Sequence, residues 1–305
     1  MRTNILIALI AIALFSCKVE KKEADKELKT IVCTTGMLGD AVAQIVGSNV
    51  EVITLMGPGV DPHLYKATQG DLKSLTNADV IVYNGLHLEG KMGEIFEKLE
   101  KKKHIIVATE GLTENEQINN SEFQGAQDPH IWFDVKLWSK AVNYIGNELT
   151  AITTDSLGSI FSLNTNKYIT QLSKLHNKVT SELNALDSSK RILITAHDAF
   201  GYFGRAYNFE VRGLQGISTT SEYGLKDVSD LVNYIVDNKI KAVFVESSVS
   251  EKSLQAVVEG CLQKNHQVRI GGQLFSDAMG EAGTPEGTYV GMVKHNVKKI
   301  VEGLK

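Results

Sequence analysis

Three histidines and one aspartate carry the clearest chemistry in this chain. Asp-Pro-His occurs twice, as Asp61-Pro62-His63 and Asp128-Pro129-His130. A third histidine closes the strand-like run Ile192-Leu193-Ile194-Thr195-Ala196-His197, and Ser276-Asp277 follows the apolar Gly271-Gly272-Gln273-Leu274-Phe275. Neutral imidazole is the commonest protein ligand for a transition metal, and three imidazoles with one carboxylate suit Zn²⁺ or Mn²⁺. His63, His130 and His197 stand 67 residues apart and Asp277 another 80 further on, so only the fold can bring them into one site. A lone Asp-Pro-His is more often a helix cap with a surface histidine than a ligand. Two copies, with a third histidine at a strand end, shift the balance to coordination. His87, in Asn84-Gly85-Leu86-His87-Leu88-Glu89, lies nearest a strand end among the remaining histidines and is the main competitor. His104, His176, His266 and His295 read as structural or exposed.

These residues need a scaffold, and the chain supplies one by alternating strand-like with helix-like runs. The first half offers strands at Thr30 to Cys33, Val50 to Leu55, Asp79 to Tyr83 and His104 to Val107. The second offers Arg191 to Thr195, Phe209 to Arg212, Ala242 to Val245 and Gln267 to Ile270. Four and four, interleaved with helices, predict two similar α/β units, each a parallel sheet under helices. The candidate ligands then fall beyond the C-terminal ends of strands, where such sheets bind ligands. In both Asp-Pro-His units the aspartate is expected to cap a helix with proline at its first position, placing the histidine in the first turn. Between the halves, Asp134 to Ile152 and Ser156 to Leu186 read as helices. Leu157, Ile160, Phe161, Tyr168, Leu172, Leu175, Val179 and Leu183 recur at the spacing of one helix face. One long helix joining two domains is the natural reading, stiffer than a flexible linker. Asn115 to Gln127 is polar and aperiodic, as expected of a surface loop.

At 305 residues the chain has room for two domains, each with its own core. A net charge of −4 argues against nucleic acid as a partner. The apolar run from Ile5 to Phe15, about ten residues, is too short to span a bilayer and suits the core of a secretory signal. It ends at Leu14-Phe15-Ser16-Cys17 before the Lys/Glu-rich Lys18 to Lys29. That junction resembles a bacterial lipoprotein signal, although Phe15 is not the usual residue at its position. The resemblance implies a signal peptide over 1–16, a lipidated Cys17 and a tether over 17–29. Several acyl chains on one residue give a stable anchor. Cys33 and Cys261 remain, in different halves, and are expected to be buried free thiols.

Four motifs in order make the chain recognisable. Asp61-Pro62-His63-Leu64-Tyr65, Asp128-Pro129-His130-Ile131-Trp132-Phe133-Asp134, Thr195-Ala196-His197-Asp198-Ala199-Phe200-Gly201-Tyr202-Phe203 and Phe275-Ser276-Asp277-Ala278-Met279-Gly280 resemble the zinc/manganese solute-binding lipoproteins of bacterial ABC importers. The resemblance spans the chain from about Lys29 to its end. It implies an α/β protein of two lobes, each a roughly four-stranded parallel sheet with helices, joined by one long rigid helix. The corresponding segments are 30–155, 156–187 and 188–305. It further implies one Zn²⁺ or Mn²⁺ ion as transported ligand, with His63 and His130 from the first lobe and His197 and Asp277 from the second. The implied protein is no enzyme but an extracytoplasmic monomer, in the periplasm or at the cell surface. It would be anchored to the membrane by lipid and deliver its ion to an ABC permease with its ATPase. Some manganese-preferring members carry glutamate at the position of His197, and many zinc-dedicated ones carry a histidine-rich loop where Gly111 to Gln127 here contains none. Two alternatives stand beside this reading. One is a metal-dependent adhesin, a label some relatives carry. The other is a secreted zinc hydrolase, against which stand the lack of a His-Glu-x-x-His pair and a carboxylate in the place a catalytic zinc keeps for water.

Overall fold

The computed structural model describes residues 27–120 and 126–305. The signal segment 1–16 and the expected lipidation site Cys17 lie outside the described residues.

The first half builds β1 (Thr30–Cys33), α1 (Gly36–Val46), β2 (Glu51–Thr54), α2 (Gln69–Asn77), β3 (Val80–Tyr83), α3 (Gly93–Glu100) and β4 (His104–Val107). Its four strands are parallel in the order β2-β1-β3-β4. A short antiparallel strand pair, β5 (Asn119–Asn120) with β6 (Ala126–Gln127), follows in the segment expected to be a loop. Next come α4 (Val135–Ala151) and the 30-residue α5 (Asp155–Asn184), which links the lobes. The second half runs β7 (Ile192–His197), α6 (Gly201–Tyr207), β8 (Glu210–Gln215), α7 (Leu225–Asp237), β9 (Ala242–Glu246), α8 (Lys252–Gln263), β10 (Arg269–Leu274) and α9 (Tyr289–Leu304). Its strands are parallel in the order β10-β9-β7-β8. The fold is the predicted pair of four-stranded parallel sheets.

Local chemistry explains the elements. β1 and β3 are apolar at nearly every position and buried on both faces, as a parallel strand between helix layers must be. Asp134 starts α4 by accepting the backbone N–H groups of Lys136 and Leu137, and Thr154 starts α5 by accepting that of Leu157. At about 1.5 Å per residue, α5 is about 45 Å long. It buries the face of Phe161, Thr165, Tyr168, Leu172, Leu175, Val179 and Leu183.

The expectation of a separate core in each half needs correcting. The largest buried cluster is continuous across both, taking in Ile31 and Trp138 as well as Phe200, Phe244 and Tyr289. Two smaller clusters flank it, one around Val32, Ile81 and Phe96, the other around Ile194, Val232 and Val257. The physical reason lies in α5 and α9. α9 packs on α5 and on α1, and Tyr289 at its start lies 5.4 Å from Trp138. A shared core of this kind couples the lobes more firmly than a helical strut alone.

Candidate metal centre

Each candidate ligand is held by a device visible in its own neighbourhood. Asp61 Oδ1 accepts the backbone N–H of His63 at 2.8 Å, and Asp128 Oδ1 that of His130 at 2.9 Å. Both Asp-Pro-His units are thus self-closed turns rather than helix caps. A turn follows His63, and only the short 3₁₀ stretch Ile131–Phe133 follows His130. The same bond to the N–H two residues on begins α4 at Asp134, so it does not by itself choose between turn and helix; here the chain continues into a turn and a 3₁₀ stretch. His197 is the last residue of β7, which runs two residues beyond the predicted strand. β10 likewise extends through Gly271 and Gly272 to Leu274, with a register shift between Ile270 and Gly272, and Asp277 follows it. Trp132 Nε1 donates to the carbonyl of Ser276 at 2.9 Å, tying the ligand-bearing segment of the first lobe to that of the second.

The four side chains converge. Nε2 of His63 lies 3.3 Å from Nε2 of His130. His130 Nε2 is 3.4 Å from Asp277 Oδ1, and His197 Nε2 is 3.2 Å from Asp277 Oδ2. His63 Nε2 is 3.8 Å from the same Oδ2, and one donor atom from each residue lies within 4.8 Å of every other. A tetrahedron whose corners sit about 2.0–2.1 Å from its centre has edges of about 3.3 Å. Three of these separations match that edge. All four residues are buried, at 3%, 0%, 0% and 2% exposure in chain order. Among the described residues, both oxygens of Asp277 and Nε2 of His197 make no well-aligned hydrogen bond and face only one another and the neighbouring histidines. Buried polar atoms are normally satisfied, so this donor set fits a divalent cation. Both Asp277 oxygens face histidines, which also leaves room for bidentate coordination.

Electrostatics divides the histidines. Burial, with further repulsion from His130 and His197, holds His63 down at about 3, so it offers a free lone pair across the physiological range. Burial also pulls on His130, but the Asp128 carboxylate at Nδ1 (2.7 Å) and Asp277 outweigh it and raise His130 to about 9. For His197 the opposing pull of burial is likewise overcome by Glu246 and Asp277, which raise it well above the ordinary histidine range. Asp277, despite burial, is held well below the usual carboxylate range by His197 and His130. In the ion-free arrangement, protons on His130 and His197 balance buried carboxylates, and a cation would displace them.

The other histidines stand apart. His87 is exposed on a left-handed backbone, φ 62°. His266 Nε2 meets the Ile240 carbonyl at 2.6 Å and His295 Nε2 that of Gln273 at 3.1 Å, while His176 lies 3.5 Å from the Tyr207 hydroxyl. Sequence reasoning missed the residues behind the ligands. Asp128 was legible at two residues from His130. Glu246, at the end of an otherwise apolar strand, was a weaker signal of the same kind. Thr219, which donates to Asp61 Oδ2 at 2.6 Å across the cleft, left no signal. Cys33 and Cys261 are both buried and free, as expected.

The chain is similar to several known proteins along almost its whole length. Residues 31–303 match the model of the family described as ZnuA, zinc-uptake complex component A, periplasmic. The manganese-binding lipoprotein MntA of Bacillus subtilis (strain 168) is 47% identical over 309 residues, covering 100% of both chains. The zinc-binding protein TroA of Treponema pallidum (strain Nichols) is 46% identical over 300 residues, covering 98% of this chain and 96% of its own. The solved structure of the periplasmic zinc-binding protein TroA from Treponema pallidum superposes with a TM-score of 0.88 at 47% identity, covering 91% of this chain and 99% of that one.

Proposed function

The chain belongs to the ZnuA family of periplasmic zinc-uptake components, and on that premise we propose that His63, His130, His197 and Asp277 together hold one Zn²⁺ or Mn²⁺ ion as cargo. It is a metal-binding, substrate-receiving component of an ABC importer. The family is one of transport components rather than enzymes. The observation that carries the site is the meeting of four buried donor atoms, two from each lobe, at separations close to a tetrahedral edge.

Capture is ligand exchange. The imidazoles and the Asp277 carboxylate replace the ion's water, and the carboxylate neutralises part of its charge. The lobes are taken as 30–155 and 188–305, with 156–187 as the link, so the four donors divide two and two. Separating the lobes therefore stretches the coordination sphere from both sides at once, and release follows. The receiving partner is an ABC permease with its ATPase. An acylated Cys17 would hold the protein at the outer face of a membrane, and among the described residues no helix is long and apolar enough to cross one. The adhesin alternative is not favoured, since the relatives above are named for the metals they bind.

The two relatives' names divide between manganese and zinc, and the donor set explains why both belong in the reading. Three nitrogen donors favour zinc along the first-row series, whereas a bidentate carboxylate accommodates manganese. Both ions bind, zinc more tightly in vitro. Elemental analysis with competition titrations tests this, with one ion per chain expected and zinc displacing manganese. A chain that takes up neither ion stoichiometrically overturns the site, and tighter manganese than zinc overturns the order.

A further inference from the structure

Glu246 is a buried carboxylate outside the coordination sphere. It ends β9 beside β7 and is 1% exposed. Its Oε1 accepts the backbone N–H of His197 at 2.9 Å, and its Oε2 lies 2.5 Å from His197 Nδ1. Two lone pairs cannot face each other at that distance, so Nδ1 carries a hydrogen, and Nε2 is the nitrogen that faces the other candidate ligands and is free to take an ion. Asp128 treats His130 in the same way, accepting its backbone N–H and meeting its Nδ1 at 2.7 Å. Asp61 does not do this for His63. It binds the backbone N–H with one oxygen and receives Thr219 on the other. Glu246 is also the one of these three aspartate and glutamate residues that comes from a different strand than its histidine.

We propose that Glu246 is a positioning and specificity-determining residue, committing position 197 to an imidazole that coordinates through Nε2 and so biasing the site toward zinc over manganese. The inference rests on the cargo site proposed above and adds to it the reason for its nitrogen-rich composition. A nitrogen donor at 197 favours zinc, and an oxygen donor there would suit manganese. Yet a carboxylate placed at 197 would share a dry pocket with the Glu246 carboxylate, and two buried like charges in contact repel strongly. While Glu246 stands, position 197 cannot exchange its imidazole for a carboxylate without that repulsion.

Glutamine at 246 reverses the logic. Its amide oxygen keeps the bond to the backbone N–H of residue 197, and its NH₂ takes the place of Oε2. An NH₂ there demands an acceptor. A carboxylate at 197 supplies one. An imidazole supplies one only by moving its hydrogen from Nδ1 to Nε2, which then points N–H at the ion and blocks coordination.

Four full-length proteins decide the matter: wild type, Glu246→Gln, His197→Glu and the double variant, each titrated with Zn²⁺ and with Mn²⁺ against a competing chelator. Glu246→Gln should lose about tenfold to hundredfold in zinc affinity, the usual effect of removing a partner behind a ligand, with a smaller loss for manganese. His197→Glu should bind both ions poorly. The double variant should recover manganese by about tenfold or more over His197→Glu, and its metal-free form should melt higher than that of His197→Glu. Equal loss of both ions in Glu246→Gln overturns the proposal, as does equal manganese affinity in His197→Glu and the double variant. The second comparison decides even if Glu246→Gln alone does not fold. A wild type that binds neither ion refutes the cargo site itself, so the two failures are distinguishable.

Discussion

His63→Ala is the sharpest test of the four-ligand site, because the structure separates its effect on the metal from its effect on the fold. Asp61 Oδ1 holds the backbone N–H of residue 63, a bond that survives loss of the ring. Among the described residues no carboxylate holds the far side of this imidazole as Asp128 holds that of His130, so its removal leaves no buried charge of that kind unpaired. Structural zinc sites are worth about 10–16 kcal/mol near neutral pH. An equal share among four donors is then about 2.5–4 kcal/mol, or roughly two to three orders of magnitude in affinity. His63 is slightly exposed, at 3%, where His130 and His197 are at 0%. Water can therefore enter and take its place, which puts the expected loss at the lower end, about a hundredfold. Competition against a chromophoric chelator at fixed pH reads this directly. His87→Ala serves as control, since His87 is exposed and outside the cluster. A loss below tenfold in His63→Ala, or an equal loss in His87→Ala, would refute the assignment.

Three further outcomes are expected. His130, raised from 6.5 to about 9 in the metal-free fold, contributes stability that is complete below about 6.5 and disappears as pH rises through about 9. Metal-free protein should melt lower at pH 9.5 than at pH 7, and zinc binding, which expels the proton, should tighten over the same interval; melting curves independent of pH would count against this. Thr219→Val removes the hydrogen bond to Asp61 across the cleft at little change in shape, costing about 1 kcal/mol. It should speed metal dissociation several-fold in stopped-flow chelation, and an unchanged rate would mean the contact does not restrain the His63 turn. Cys17→Ser should move the exported protein from the membrane to the soluble fraction or stall it as a precursor, and a wild type that is itself soluble after export would refute the lipid anchor.

The eight principal strands, the long helix and the four converging residues were all legible in the sequence, for different reasons. Strands such as Val80–Tyr83 and Ala242–Glu246 are nearly continuous apolar runs, a pattern fixed by burial on both faces. α5 was legible because one helical face repeats apolar residues over its whole length. The candidate ligands were legible because histidines at a repeated motif and at a strand end are hard to explain otherwise. Strand ends were less legible. β10 continues through Gly271 and Gly272, residues that ordinarily mark a break, because pairing with β9 resumes past the register shift. The Asp-Pro-His turns were misread as helix starts because the same aspartate oxygen can cap either structure, and nothing local decides between them. The shared core was beyond reach, since Tyr289 on Trp138 is a contact across 151 positions that no periodicity encodes.

Residues flanking the ligands also fasten the lobes together. Asp61 receives Thr219, two residues before His63. Tyr202 donates to the Asp128 carbonyl at 2.9 Å, two residues before His130. Trp132, two residues after His130, donates to Ser276, one residue before Asp277, and accepts from Tyr289 at 2.7 Å. Four such bonds at roughly 0.5–1.5 kcal/mol net amount to about 2–6 kcal/mol favouring the closed arrangement. That is well short of the roughly 10–16 kcal/mol of a structural zinc site, and it acts whether or not an ion is bound. The consequence falls on release. Because each of these four bonds has one end within two residues of a candidate ligand, parting the lobes at the cleft displaces donors. A partner that separated them would break the hydrogen bonds and the coordination sphere in one movement.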